Sequence, residues 1–219
     1  MSEFLDAAAE ATVKQRVAAL ERVTGVEVVA AVIVRADSYP EIPWKAFALG
    51  ASLASLAAVA AALFEPGWEA FEAVAETAVA ALAAGAAAAL ATVWIAPLAR
   101  WFVPQARRQA EVLQYAQAMF LEAELHRTLH HDGILLLISL FEHEVVALAD
   151  RGVSDRMGAG GLDPVVAAVT AGLRRGQFPE ALPDGLSQLE ELLVARGFRG
   201  QPGEPNELPD APIPRKGPA

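Results

Sequence analysis

The chain has 219 residues, a formal net charge of −10 and no cysteine. Its length suits one domain with an insertion, or two very small domains, and the absence of cysteine excludes disulfides and thiolate metal sites. An acidic balance with no basic cluster speaks against nucleic acid as a partner.

Residues 2–23 read as an amphipathic helix, because Leu5, Ala9, Val13, Val17 and Leu20 recur at helical spacing. The N-terminus is acidic rather than basic and then apolar, so no cleavable signal peptide is expected. Thr24-Gly25 breaks the helix. Val26-Glu-Val-Val-Ala-Ala-Val-Ile-Val34 is then nearly continuous and rich in β-branched residues, which predicts a strand buried on both faces. Arg35 to Pro43 forms a linker.

Two charge-free runs follow, one between Lys45 and Glu65 and one between Glu76 and Arg100. Each approaches or exceeds the roughly 20 apolar residues that a helix needs to cross a bilayer. Trp44, Trp68, Trp94 and Trp101 sit at or near the ends of these runs, where an interfacial aromatic belt places them. Alanine-rich helices buried in a soluble bundle would match the length, but would carry tryptophan within the apolar stripe. The reading is a transmembrane hairpin, with helices at about 45–64 and 77–99 and a loop at 65–76. That loop holds Glu65, Glu69, Glu72 and Glu76 and no base, whereas Arg35, Lys45, Arg100, Arg107 and Arg108 flank the hairpin. Basic residues are retained on the cytoplasmic side, so both termini are expected in the cytoplasm and the acidic loop outside. Gly50, Ala54, Ala57, Ala58, Ala61, Gly85 and Ala89 predict close helix approach. No intramembrane charge lines either helix, which disfavours a pore.

Residues 105–130 read as one long helix, its seam formed by Val112, Ala116, Met119, Ala123, His126 and His130. Asp132-Gly133 ends it, and Ile134-Leu-Leu-Leu-Ile-Ser-Leu140 is a second buried strand. A turn at Phe141-Glu142-His143 leads to an antiparallel strand at Glu144–Ala149. Parallel crossover connections then put Asp37 and the Phe141–His143 turn on the sheet edge nearest the bilayer, and Asp150-Arg151-Gly152 on the opposite edge. Asp163 as N-cap and Pro164 open a helix closed by Gly176; Asp184 opens another, closed by Gly197. From Gly200 onward the chain is proline-rich.

Several of these segments together resemble the TPM-domain family, in its bacterial membrane branch, where a transmembrane hairpin interrupts the domain. They are Glu21-x-x-Thr24-Gly25-Val-Glu27, Phe120 with His126-Arg-Thr128, Gly133-Ile-Leu-Leu-Leu-Ile-Ser139, Glu142-His-Glu-Val-Val146 and Asp150-Arg-Gly-Val153. Gly172-Leu-Arg-Arg-Gly176 and Asn206-Glu-Leu-Pro-Asp210 continue the pattern. Gly160–Pro164 departs from it, since the family usually carries a tryptophan there. The resemblance implies an α/β fold, an α/β/α sandwich with a small mixed sheet. Its parts would be 1–40 and 105–198, with the hairpin at 41–104 and a tail at 199–219. It further implies a non-catalytic accessory, assembly or repair factor that docks on an inner-membrane protein complex, with the lipid bilayer as its other partner. The alternative is a membrane-tethered, metal-dependent acid phosphatase.

No catalytic residue and no cofactor site is assigned; the resemblance leaves a divalent cation such as calcium as an implied ligand. His126 and His130, with Glu122 and His131 nearby, have a spacing that can share a zinc ion, but they continue an apolar stripe and a packing or capping role is favoured. Asp37, Glu142 and Glu144 offer oxygen ligands to a hard cation, at a spacing that matches no calcium loop. Asp150-Arg151-Gly152 fits either a strand-end site or a turn with a capping acid, and the turn is favoured. The weak metal candidates are therefore Asp37, Glu142 and Asp150. No phosphate-cradling loop or nucleophile elbow is present.

Overall fold

A computed structural model describes residues 7–64, 70–200 and 213–215. The Asn206–Asp210 motif and residues 65–69 of the acidic loop lie outside the described residues. The chain divides into two compact units, Met1–Asp37 with Arg108–Ala219, and Ser38–Arg107.

The first unit is built on a mixed sheet in the order β3-β2-β1-β4. Its strands are β1 (Val28–Ile33), β2 (Ile134–Ser139), β3 (Glu144–Ala149) and the short β4 (Ile213–Arg215). β1 runs parallel to β2, with Val28 opposite Ile134 and Ile33 opposite Ser139. β3 returns antiparallel to β2, and β4 adds a parallel edge to β1. Three residues of the proline-rich tail therefore belong to the sheet.

All six residues of β1 and all six of β2 are buried, and their alternation explains why. Val28, Ala30, Val32, Ile134, Leu136 and Ile138 join one apolar cluster. The intervening Val29, Ala31, Ile33, Leu135 and Leu137 join a second cluster. Successive side chains of a strand point to opposite faces, so the sheet is covered on both. One face packs against α1 (Ala7–Thr24), α6 (Arg151–Met157), α7 (Asp163–Arg174) and α8 (Phe178–Ala195). The other packs against Val112, Ala116 and Met119 of α5 (Gln105–Glu122). This is the expected α/β sandwich with helices on both faces. The departure at Gly160–Pro164 does not unseat α7, whose Val165 and Val169 are buried in the first cluster.

Several boundaries differ from the sequence reading. The hairpin helices begin at Glu41 and Ala70 rather than near 45 and 77, and Leu162 rather than Asp163 is the N-cap of α7. Three more shifts lie in the α/β unit. The long helix stops at Glu122 rather than near 130, because Glu124 adopts a left-handed backbone and Leu125–Arg127 forms a 3-10 turn. The turn buries Leu125 against Gly133, where a Cβ would meet the Leu125 carbonyl oxygen at 2.6 Å. His126 and His130 thus do not share a helical face. Asp150-Arg151-Gly152 is not a simple turn but the start of α6, with Asp150 as N-cap. Finally, α8 begins at Phe178, before Asp184, and carries Pro183 inside it.

The second unit contains α2 (Glu41–Phe64), α3 (Ala70–Trp94) and the short α4 (Ala96–Trp101). α2 and α3 pack along their small residues. A Cβ on Gly50 would come within 2.7 Å of the Ala84 carbonyl oxygen, and one on Gly85 within 2.8 Å of the Phe47 ring. Apart from Phe47, larger side chains along the two helices point away from this seam: Leu56 is 65% and Phe64 84% exposed. Both helices are long and apolar enough to cross a membrane; the apolar stretch of α2 is 0% buried and that of α3 11%. At the base of the hairpin Arg107 Nη1 donates to Glu41 Oε1, and Lys45 Nζ donates to the Phe102 carbonyl.

Candidate functional site

The expected site residues fall at two opposite ends of the sheet. At the end where β1 and β2 finish, Glu142 is buried in the turn between β2 and β3. Its Oε1 accepts from the Ala36 amide at 2.9 Å and its Oε2 accepts from the Ser139 hydroxyl. The carboxylate therefore ties the exit of β1 to the β2–β3 turn, and a buried carboxylate needs such donors. Asp37 follows Ala36 directly. The Arg35 guanidinium lies 4.3 Å from the centre of the Phe141 ring.

Glu144, at the start of β3, is held above the ordinary carboxylate range. Burial is the largest cause, reinforced by the neighbouring Glu142 charge. Arg108, Arg174 and a hydrogen bond from Gln109 pull in the other direction without overcoming it.

At the other end of the sheet, Asp150 splits its two oxygens between different tasks. Oδ1 accepts from the Arg151 amide at 2.7 Å and so caps α6, while Oδ2 lies 2.9 Å from His131 Nδ1. Gly152 is required here, because a Cβ would lie 2.5 Å from the His130 carbonyl oxygen and 2.7 Å from that of His131.

β3 separates the two groups by roughly 20 Å of strand. Asp37 and Glu142 thus share one end, and Asp150 stands at the other. Among the described residues no three histidine or acidic side chains gather to hold a metal ion. The oxygens of Glu142 and Asp150 each face a protein hydrogen-bond partner. His126 and His130 lie in and beyond the 3-10 turn, apart from any such group.

Sequence reading missed Arg156 and Phe198. The Arg156 guanidinium stacks 3.6 Å over the buried Phe198 ring, beside the Asp150 end of the sheet. A cation on α6 and an aromatic beyond α8 leave no local pattern in the sequence.

A small mixed sheet with helices on both faces and an interrupting helical hairpin defines the class as an α/β sandwich with an inserted helix pair. The profile of the TPM domain matches residues 72–192, more than half of the chain. The chain belongs to the TPM-domain family. It is also similar to a solved structure, the NMR structure of the BA42 protein from the psychrophilic bacterium Bizionia argentinensis. The TM-score is 0.58 at 14% sequence identity, over 98% of each chain; at that identity the likeness shows the fold. No curated protein matches the chain.

Proposed function

We propose that this chain is a membrane-anchored TPM-domain protein, and that it acts as a non-catalytic accessory, assembly or repair factor on a protein complex of the bacterial inner membrane. The observation that carries this reading is the pair α2 and α3, whose larger apolar side chains point away from the helix seam and from any protein core. Such faces have no place in water and match lipid or the helices of a membrane partner. Exposed Trp44, Trp94 and Trp101 supply the interfacial belt at the helix ends. The acidic segment 65–76 and the basic flanks favour cytoplasmic termini.

Two experiments test this reading. Affinity purification from native membranes in mild detergent should recover the chain with integral-membrane proteins; migration alone under several growth conditions removes its support. Since the chain has no cysteine, a single cysteine replacing Glu72 should react with an impermeant maleimide from outside the cell, and one replacing Glu191 should not. The reverse pattern inverts the topology. The phosphatase alternative predicts metal-dependent phosphate release that Asp37→Asn or Asp150→Asn abolishes, and unchanged release in both variants ends it.

A further inference from the structure

The two ends of the hairpin carry charge of opposite sign. From Arg35 to Lys45 and from Ile95 to Arg108 the sequence holds five cations, Arg35, Lys45, Arg100, Arg107 and Arg108, against two acids, Asp37 and Glu41. Segment 65–76, which joins the two long helices, holds four acids and no cation. In a chain of net charge −10, the base of the hairpin is a local excess of positive charge.

Within the helical unit these cations are positioned around one carboxylate. Arg107 Nη1 and Lys45 Nζ both contact Glu41 Oε1, at 2.5 and 3.9 Å. Lys45 Nζ also donates to the Phe102 carbonyl at 3.3 Å, and the Arg107 guanidinium lies 5.6 Å from the centre of the Tyr39 ring. These contacts gather the start of α2, the end of α4 and the segment up to Arg107. The Lys45 and Arg107 side chains nevertheless stay 45% and 42% exposed, whereas that of Glu41 is 24% exposed. The cations, rather than the acid between them, meet the surroundings. Trp44 precedes Lys45 and Trp101 follows Arg100, and these rings are 75% and 73% exposed. In water such rings forgo the burial of a large apolar surface; at a headgroup interface the apolar body and the indole N–H are both accommodated.

We propose that this cationic, tryptophan-flanked end of the hairpin docks on an anionic phospholipid surface, with Lys45, Arg100 and Arg107 at the level of the headgroups. The inference rests on the membrane-anchored reading above and adds a lipid preference to it. Lysine and arginine can keep their stems in an apolar layer while their charged ends reach headgroup oxygens. Charge complementarity selects the lipid class. A zwitterionic surface has no net attraction to offer, whereas an anionic leaflet attracts each nearby cation and repels a chain of net charge −10 that turns any other part toward it. An acidic protein would match the cations, but not two exposed indoles at the ends of apolar helices. The anionic lipid content of the leaflet then sets how firmly the hairpin is seated.

Energy transfer from tryptophan to dansyl-labelled lipid tests the proposal. The full-length protein is reconstituted into phosphatidylcholine vesicles that carry a trace of phosphatidylglycerol or phosphatidylcholine, each with dansyl on an acyl chain. Vesicle flotation reports insertion separately: a chain left behind by both vesicles removes the anchored reading, and this proposal with it. Once inserted, the chain should enrich the anionic probe about fivefold over the zwitterionic one, the effect of one cation engaged at an anionic surface. Lys45→Gln combined with Arg100→Gln should bring that ratio to within about twofold of parity, with flotation and thermal unfolding unchanged. If the pair lowers thermal unfolding, Arg100→Gln alone carries the test and should still reduce the ratio. Lys45→Arg, which keeps the charge, should preserve it, as should Arg127→Gln in the α/β unit. Insertion with equal transfer to both probes would overturn the proposal and leave the cations for an acidic partner protein. A preference that survives the loss of Lys45 and Arg100 would overturn it as well.

Discussion

In the α/β unit, Leu20, Leu136 and Leu186 are sealed between helices and sheet, whereas in the hairpin Leu53, Leu56 and Leu63 stand more than half exposed. The same side chain meets opposite surroundings in one chain. In the first unit the large residues interdigitate, and a buried acid such as Glu142 is met by protein donors. In the second, glycine and alanine line the seam with Phe47, and most large residues face out. Burying a leucine stabilises by about 1.5–3 kcal/mol relative to leaving it in water. The hairpin forgoes that gain at every outward position unless a hydrocarbon phase or a partner supplies it. The contrast therefore concerns solvent, and substitutions on each side of it test that view.

The largest effect belongs to the sealed core. Leu136→Ala should destabilise the α/β unit by about 2–5 kcal/mol, seen as faster amide hydrogen exchange across β1 and β2. A change below about 1 kcal/mol would show that this core is not closed. Next comes the outward face of the hairpin. Leu56→Arg should cost about 3–4 kcal/mol of insertion near a helix centre, measured as loss of the chain from the membrane fraction. Full retention with normal solubility would instead point to a water-facing helix and break the contrast.

A smaller effect is expected at the helix cap. Asp150→Ala removes the acceptor for the Arg151 amide and should lower stability by about 1 kcal/mol, whereas Asp150→Asn keeps the cap and should lose less. The smallest effect concerns Glu144, whose carboxyl is raised above its ordinary range, chiefly by burial. The folded state then holds this proton more tightly than the unfolded state does, so its contribution is full at low pH and falls as pH rises through the raised value. Glu144→Gln should therefore gain thermal stability relative to the parent as pH rises from about 4 toward neutrality. A constant difference across that range would remove Glu144 from the account.

The strands were legible because Val28–Ile33 and Ile134–Ser139 are short apolar runs bounded by Gly25 and Gly133. The two apolar helices were legible from the missing charges. What escaped depended on contacts distant in sequence. The apolar seam of α5 continues on paper to His130, yet the helix stops at Glu122; Leu125, which is off that seam, fills the second core, and Glu124 takes a left-handed backbone to allow this. Asp150-Arg-Gly has the composition of a turn, and Gly152 looks like its flexible element. Its actual requirement is the close approach of two carbonyl oxygens from the 130–131 segment. At the candidate site the acids were visible as residue types, but a strand's length between Glu142 and Asp150 appears only once β3 is placed. Arg156 gave no signal, since its partner Phe198 lies beyond two further helices.

The strand order has a consequence for synthesis. β1 lies between β2 and β4 in the sheet, yet both neighbours are encoded after the hairpin. Val28 waits for Ile134, about a hundred residues later, and at typical elongation rates the delay is on the order of ten seconds. During that time an apolar strand destined for burial on both faces has no ladder partner. The packing of α2 on α3 and the Glu41–Arg107 ion pair gather the intervening chain at its base. Since loop-closure cost grows with the length of free chain, the hairpin shortens the search when β2 emerges. An interior strand is thus the first to be made, and both of its partners follow only after the hairpin.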